Sequence, residues 1–221
     1  MNHLVRGPVT VRVPATSANL GPGYDSLGLA VSLHDVLTAS VLPSGALEVE
    51  VEGEGAATVP RDERHLVVRS LLAGFAALGV DVPPGLRLRC VNAVPHGRGL
   101  GSSSAAIVGG LALARALVVG GAELLPDDAL FGLAARIEGH PDNVAPAVLG
   151  GLTVAWAERD GTGATFEAAR LSVANGLRTV AFVPPDPLET AVARGLLPSD
   201  VPHADASFNT GRAALLVAAL T

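Results

Sequence analysis

The chain has 221 residues, is 49% hydrophobic and 16% charged, and carries a formal net charge of −6. Such a chain can bury a sizeable core in one large domain or two small ones, and its acidic balance argues against a nucleic-acid partner, whose recognition needs a basic face. All 15 basic side chains are arginines and Cys90 is the single cysteine, which excludes Schiff-base chemistry, a Walker A lysine, an internal disulfide and a cysteine-built zinc site.

Taken in order, residues 9–13 (VTVRV) alternate like a strand that Pro14 should end, and a loop rich in Gly, Ser and Asn follows. Residues 36–42 and 47–51 read as two strands joined by a hairpin around PSG. Residues 66–78 have helical spacing with Gly79 as stop, and 86–91 (LRLRCV) form a strand that would bury Cys90. A helix is expected from about Ser104 to Val118, and another from Pro126, Asp127 and Asp128 to Gly139. HPDNVAPAVLGG reads as irregular, LTVAW as strand, 177–183 as a strand stopped by Pro184 and Pro185, 190–194 as a short helix, and the chain from about Phe208 as a final helix. Strands and helices mix without strict alternation, which favours an α+β fold.

The N-terminus lacks the apolar core of a secretory signal. The longest apolar stretch, 105–125, carries Arg115, Glu123 and two Gly-Gly pairs, so it reads as a buried helix and turn rather than a membrane span. A cytoplasmic protein without a membrane partner is expected. The last residues, GRAALLVAALT, form an apolar helix with no polar tail. Such a helix must pack against something, and the expectation is that a partner segment is missing.

Between the fourth strand and the buried helix lies PHGRGLGSSSAA, residues 95–106. Small residues let backbone approach a ligand closely, and the free amides of a helix's first turn make an anion site, for which phosphate is the usual occupant. Walker A fails for want of lysine, G-x-G-x-x-G fails at Ser102, and the nucleophile elbow G-x-S-x-G does not fit. A polyphosphate normally brings Mg²⁺, which takes one or two carboxylates, so a partner acid is expected elsewhere. Glu138, in the last turn of its helix, faces the negative end of the helix dipole and calls for a compensating cation. His140, Asp142 and Asn143 follow in a Pro-stiffened turn. A Ser-His-Asp hydrolase is the rival reading, but no elbow presents a serine.

PHGRGLGSSSAA resembles the P-x-x-x-G-L-G-S-S-A-A signature of the GHMP kinases. VPATSANLGPGYDSLGLAV, EGHPDNVAPAVLGG and the region from ARGLLPSD onward resemble the homoserine kinase branch of that family. The resemblance implies transfer of the ATP γ-phosphate to the hydroxyl of L-homoserine. It implies an N-terminal domain (residues 1–172) like ribosomal protein S5 domain 2, with a left-handed β-α-β crossover. A ferredoxin-like domain would begin at 173–221 and be incomplete. It places the triphosphate in the loop formed by Pro95, His96, Gly97, Arg98, Gly99, Leu100, Gly101, Ser102, Ser103, Ser104 and Ala105, and Mg²⁺ on Ser103 and Glu138. It places L-homoserine on Asn19, Asp25, His140, Asn143 and Arg194, with Asp25 at the ammonium and Arg194 at the carboxylate. Asp142 lies where related kinases carry a base, and Asn143 is expected to orient the hydroxyl instead. Ser104 stands where the family has Ala, and His65 where relatives have Asn near adenine. A homodimer is implied by family habit.

Overall fold

The computed structural model describes residues 3–43, 45–159, 164–186, 188 and 190–221. Its elements run β1 (Val9–Ala18), β2 (Leu27–Leu42), β3 (Leu47–Gly53), α1 (Leu66–Ala77), β4 (Gly85–Asn92), α2 (Ser102–Leu117), α3 (Gly121–Leu124), α4 (Asp127–Glu138), α5 (Val144–Leu149), β5 (Leu152–Arg159), β6 (Ala164–Leu171), α6 (Thr190–Gly195) and α7 (His203–Leu220). The class is α+β, as expected. One sheet runs in the order β3-β4-β2-β5-β6, with β1 also paired to β2.

The long strand β2 organises the sheet. β1 lies antiparallel along it, β4 pairs with its residues 36–42, and β5 pairs with residues 27–29. Pro14 does not end β1. The register shifts between Pro14 and Thr16, so the residue without an N–H is absorbed in a bulge and the strand continues to Ala18. The Thr16 amide bonds the Leu100 carbonyl at 3.1 Å, which ties the strand to the loop before α2.

The expected hairpin between β2 and β3 is not formed. β3 runs parallel to β4, which inserts between it and β2, and α1 is the crossover. The side chains explain the choice. Glu48 meets Arg87 at 2.6 Å and Glu52 meets Arg89 at 2.7 Å across the β3–β4 pair, while Val51, Leu86, Leu88 and Cys90 face inward. Such exposed pairs add little stability, but they favour this neighbour and this register. Burial, helped by the nearby Asp35, pushes the Cys90 thiol up to about 12.

α2, α4 and α5 pack against the sheet, α1 packs on α2, and α2 is at the centre of the core. Leu111, Leu113, Ala114 and Leu117 are completely buried with Phe75 of α1. α1 and α2 touch through glycines. A Cβ on Gly110 would lie 2.4 Å from the Val67 carbonyl oxygen, and one on Gly74 would lie 2.6 Å from Ala114 Cβ.

Three further expectations are corrected. HPDNVAPAVLGG contains a helical turn and a half, α5, because Val144, Ala145, Pro146 and Ala147 are buried against the core. Residues 177–183 form no strand, since no neighbouring strand among the described residues lies alongside them, and Phe182 is 94% exposed. α2 and α7 begin earlier than expected, at Ser102 and His203. α7 has no buried residue. It is tied to the rest by the Asn209 side chain, which donates to the Pro22 carbonyl at 2.8 Å, and by the Ala174 amide, which donates to Leu220 at 2.7 Å. Among the described residues no helix is long and apolar enough to cross a membrane.

The α1–α2 contact makes a direct prediction. Gly110→Ala must push two backbones apart, an overpacking cost of about 1–3 kcal/mol. Thermal melting should show a drop of several degrees, and an unchanged midpoint would contradict this close approach.

Candidate active site

Five segments converge on one cleft of about 550 Å³, lined among others by Asn19, Gly97, Arg98, Gly99, Gly101, Ser102, Ser103, Glu138, His140, Asp142, Asn143 and Arg194. Most of the residues singled out in the sequence therefore meet, although Asn19 and Arg194 are 175 positions apart (194 − 19), while Asp25 is outside the lining and joins it through Arg194.

The glycine loop reaches the cleft by left-handed turns at Gly97, Gly99 and Gly101, with φ of 66°, 75° and 66°. Gly101 is the N-cap of α2, and the first turn of that helix carries no acid to occupy its amides. A Cβ on Gly101 would lie 2.1 Å from Thr16 Oγ1 and 3.0 Å from Asn143 Oδ1, so only glycine lets β1, the loop and the turn after α4 close together. Arg98 makes no ion pair among the described residues. Leu100, Ser104 and Ala105 are buried behind the loop. Their part is to seat it, and Pro95 and His96 stand outside the cleft lining.

Glu138 ends α4 where Gly139, at φ 91°, turns the chain. Its Oε1 accepts hydrogen bonds from Ser103 Oγ at 2.6 Å and Ser104 Oγ at 3.0 Å. Its charge, badly placed at a helix C-terminus, thus faces the N-terminus of α2, where a helix favours negative charge. His140 Nδ1 is 2.6 Å from Asp142 Oδ1, and the same oxygen accepts the Asn143 amide at 2.9 Å. The bond to Asp142 holds the His140 imidazole above the ordinary histidine range, burial opposes it, and the Asp142 and Glu138 charges add to the rise. Thr16, fully buried, donates to Asn143 Oδ1 at 2.9 Å. The Asn143 NH₂ group has no partner among the described residues.

The third side of the cleft is the loop between β1 and β2. Asn19, Leu20 and Asp25 all have positive φ, at 67°, 47° and 56°, a strained backbone of the kind concentrated at functional sites. Asn19 Oδ1 accepts the Asp25 amide at 2.9 Å and so closes the loop. Asp25 and Arg194, expected at opposite ends of an amino acid, are paired directly with each other. The Arg194 Nε is buried without a partner among the described residues.

A second cavity of about 280 Å³ opens beyond Ser102 and Ser103, which belong to both. His65, His96, Asp35, Pro60 and Leu66 line it. His65 is the N-cap of α1, its Nδ1 accepting the Val67 amide at 3.2 Å, and burial with the nearby His96 and Arg61 lowers its pKa. A hollow of about 450 Å³ between α4 and β6 shares no residue with the loop or the turn.

Sequence reasoning did not find Thr16 or Asp35. Thr16 is one threonine in a Ser- and Thr-rich stretch, without a distinguishing signal. Asp35 had one, since it is in phase with the inward-facing Leu37 and Ala39 of β2, where an acid is out of place.

The sequence and the fold both have known relatives. Residues 65–151 match the GHMP kinases N terminal domain. The homoserine kinase of Streptomyces coelicolor is 56% identical over 213 residues, covering 96% of this chain and 67% of the relative. That of Clavibacter michiganensis is 53% identical, covering 96% and 65%. The crystal structure of homoserine kinase from Cytophaga hutchinsonii superposes with a TM-score of 0.76 at 25% identity, covering 98% of this chain and 68% of that one. The chain thus spans about two thirds of the length of the relatives it matches. With more than half its residues shared across nearly its whole length and the fold shared as well, the chain belongs to the homoserine kinases, a branch of the GHMP kinase family.

Proposed function

We propose that this chain carries the donor and acceptor sites of an ATP-dependent cytoplasmic kinase that phosphorylates the side-chain hydroxyl of L-homoserine. The observation that carries this reading is the Ser103–Glu138 contact, which joins the glycine loop to the H-P-D-N turn inside one cleft. The division after residue 172, where the sheet ends, puts both sites on the N-terminal unit except for Arg194 and its helix α6.

The triphosphate lies along Gly97–Ser103, taking the open amides at the start of α2 and the Arg98 guanidinium. The two cavities joined at Ser102 and Ser103 leave room for the base on one side and the acceptor on the other. Ser103 and Glu138 are hard oxygen donors 2.6 Å apart and fit Mg²⁺. No cluster of three or more His, Cys, Asp or Glu stands ready to hold a metal among the described residues, which suits an ion that takes most of its ligands from phosphate and water. Bound there, Mg²⁺ would neutralise phosphate charge.

An amino-acid acceptor would exchange the Asp25–Arg194 pair for two new ones, ammonium on Asp25 and carboxylate on Arg194, so neither charge is left alone. The unpartnered Arg194 Nε supports that carboxylate contact. Asn143, its carbonyl oxygen held by Thr16, offers its NH₂ group to the acceptor hydroxyl. Asp142 already serves His140 and the Asn143 amide, and we assign it to orienting the turn. Phosphoryl transfer needs positioning and charge neutralisation more than a strong base.

Purified protein with ATP and Mg²⁺ should release ADP in the presence of L-homoserine and not of mevalonate, which has no ammonium for Asp25. Acceptor-independent or absent turnover, without ATP binding, would remove the kinase reading. Arg194→Ala should raise KM for L-homoserine about 10- to 100-fold while leaving KM for ATP within error. Equal effects on both substrates would contradict its place.

The raised His140 pKa has a sign. The protonated imidazole stabilises the fold below the unfolded histidine value of about 6.5, and this is lost as pH rises through the higher folded value. Over that window the melting temperature of the parent chain should fall relative to that of His140→Gln, which keeps only the opposite contribution of His65, whose folded pKa is lowered.

A further inference from the structure

Asp35 has a feature that seating a loop does not require. Its Oδ1 alone accepts the Ala93 and Val94 amides, at 2.8 and 2.9 Å, immediately before the glycine loop begins at Pro95. Its Oδ2 has no partner among the described residues. The residue is only 4% exposed and lines the second cavity, and its Oδ2 retains accessible surface. A carboxylate so largely withdrawn from water is costly unless donors answer it. Asparagine or serine could hold the same two amides without burying a charge.

The rest of the cavity completes a pattern. Leu37, Val59, Leu66 and Val67 supply apolar walls. His65 accepts through Nδ1, so the proton of its neutral ring is on Nε2 and can be donated. Beside the polar groups of Arg64, Asn92, His96 and the two serines, the cavity therefore sets an acceptor at Asp35 and a donor at His65 against apolar walls, an arrangement that orients a small ligand. An aminopurine, with an amino donor beside a ring-nitrogen acceptor, complements it. An oxopurine would turn a carbonyl oxygen toward the carboxylate. A ribose hydroxyl is also a donor that Oδ2 could accept.

We infer that Asp35 is a specificity-determining residue for the nucleotide, its Oδ2 accepting a hydrogen bond from an amino or hydroxyl group of the nucleoside. This rests on the reading that the glycine loop holds the nucleotide's phosphates.

The test is direct binding of ATP, purine riboside triphosphate, GTP, 2′-deoxy-ATP and 3′-deoxy-ATP to the parent chain and to Asp35→Asn. Asparagine keeps a carbonyl oxygen for the two amides and turns an NH₂ group to the cavity. The parent chain should bind the analogue that lacks the recognised donor roughly tenfold or more weakly than ATP. Weak purine riboside triphosphate points to the amino group, and a weak deoxynucleotide to the hydroxyl. In Asp35→Asn that ratio should collapse toward one. Should this variant not fold, the parent chain decides alone, because equal affinity for ATP and all three donor-deleted analogues overturns the inference. So does an unchanged ratio in Asp35→Asn. Absence of binding by every nucleotide overturns the phosphate-loop reading and this inference together, which separates the two failures.

Discussion

A single oxygen, Oε1 of Glu138, accepts from two serine hydroxyls on a different helix, and the site is arranged around that contact. It sets the end of α4 against the beginning of α2. A carboxylate at a helix C-terminus is disfavoured by about 0.3–1 kcal/mol when exposed, and here the opposite pole of a second helix offsets the penalty. The same contact makes a carboxylate available beside amides that favour anions, which is the pairing a metal–phosphate complex needs. The two helices are held in this relation from behind, since α2 is buried almost all round.

Close approach without a side chain is the other condition. Gly101 has Thr16 on one side and Asn143 on the other, and Thr16 in turn bonds both the Leu100 carbonyl and the Asn143 side chain. A strand, a loop and a turn from three parts of the chain are thereby fixed to one another through atoms of a few residues. The orientation of the Asn143 amide follows from this. Its carbonyl oxygen is committed to the threonine and its NH₂ group is left for a ligand.

The elements with local signals were legible. α1 carried helical periodicity and Gly79, α4 had Pro126 before it and Gly139 after it, and the loop announced itself by three glycines and three serines. Glu138, His140, Asp142 and Asn143 were visible as a dense polar cluster. What the sequence hid was long-range. The PSG turn looks like a hairpin, but the Glu48–Arg87 and Glu52–Arg89 pairs that seat β3 beside β4 come from strands 39 and 37 residues apart. α5 has two prolines near its start and exists because its apolar residues are buried, a tertiary cause that overrides propensity. Residues 177–183 have strand composition but no partner strand among the described residues. The direct Asp25–Arg194 pair was also out of reach, since a resemblance assigns residues to a ligand and not to each other.

If the cleft holds donor and acceptor as proposed, its two halves are built to different tolerances. The nucleotide half stands on α1 and α2, locked by glycines that admit no extra carbon. The acceptor half takes Asn19, His140 and Asn143 from the body of the fold and Ala193 and Arg194 from α6, which follows the Leu188 amide bonded to Gly97. Substitutions on the first half disturb the core. Those on α6 disturb only what the small helix touches. A lineage could therefore exchange one alcohol for another by redrafting a short peripheral segment while leaving its phosphate donor untouched, and diversification of such enzymes should be written mostly at that margin.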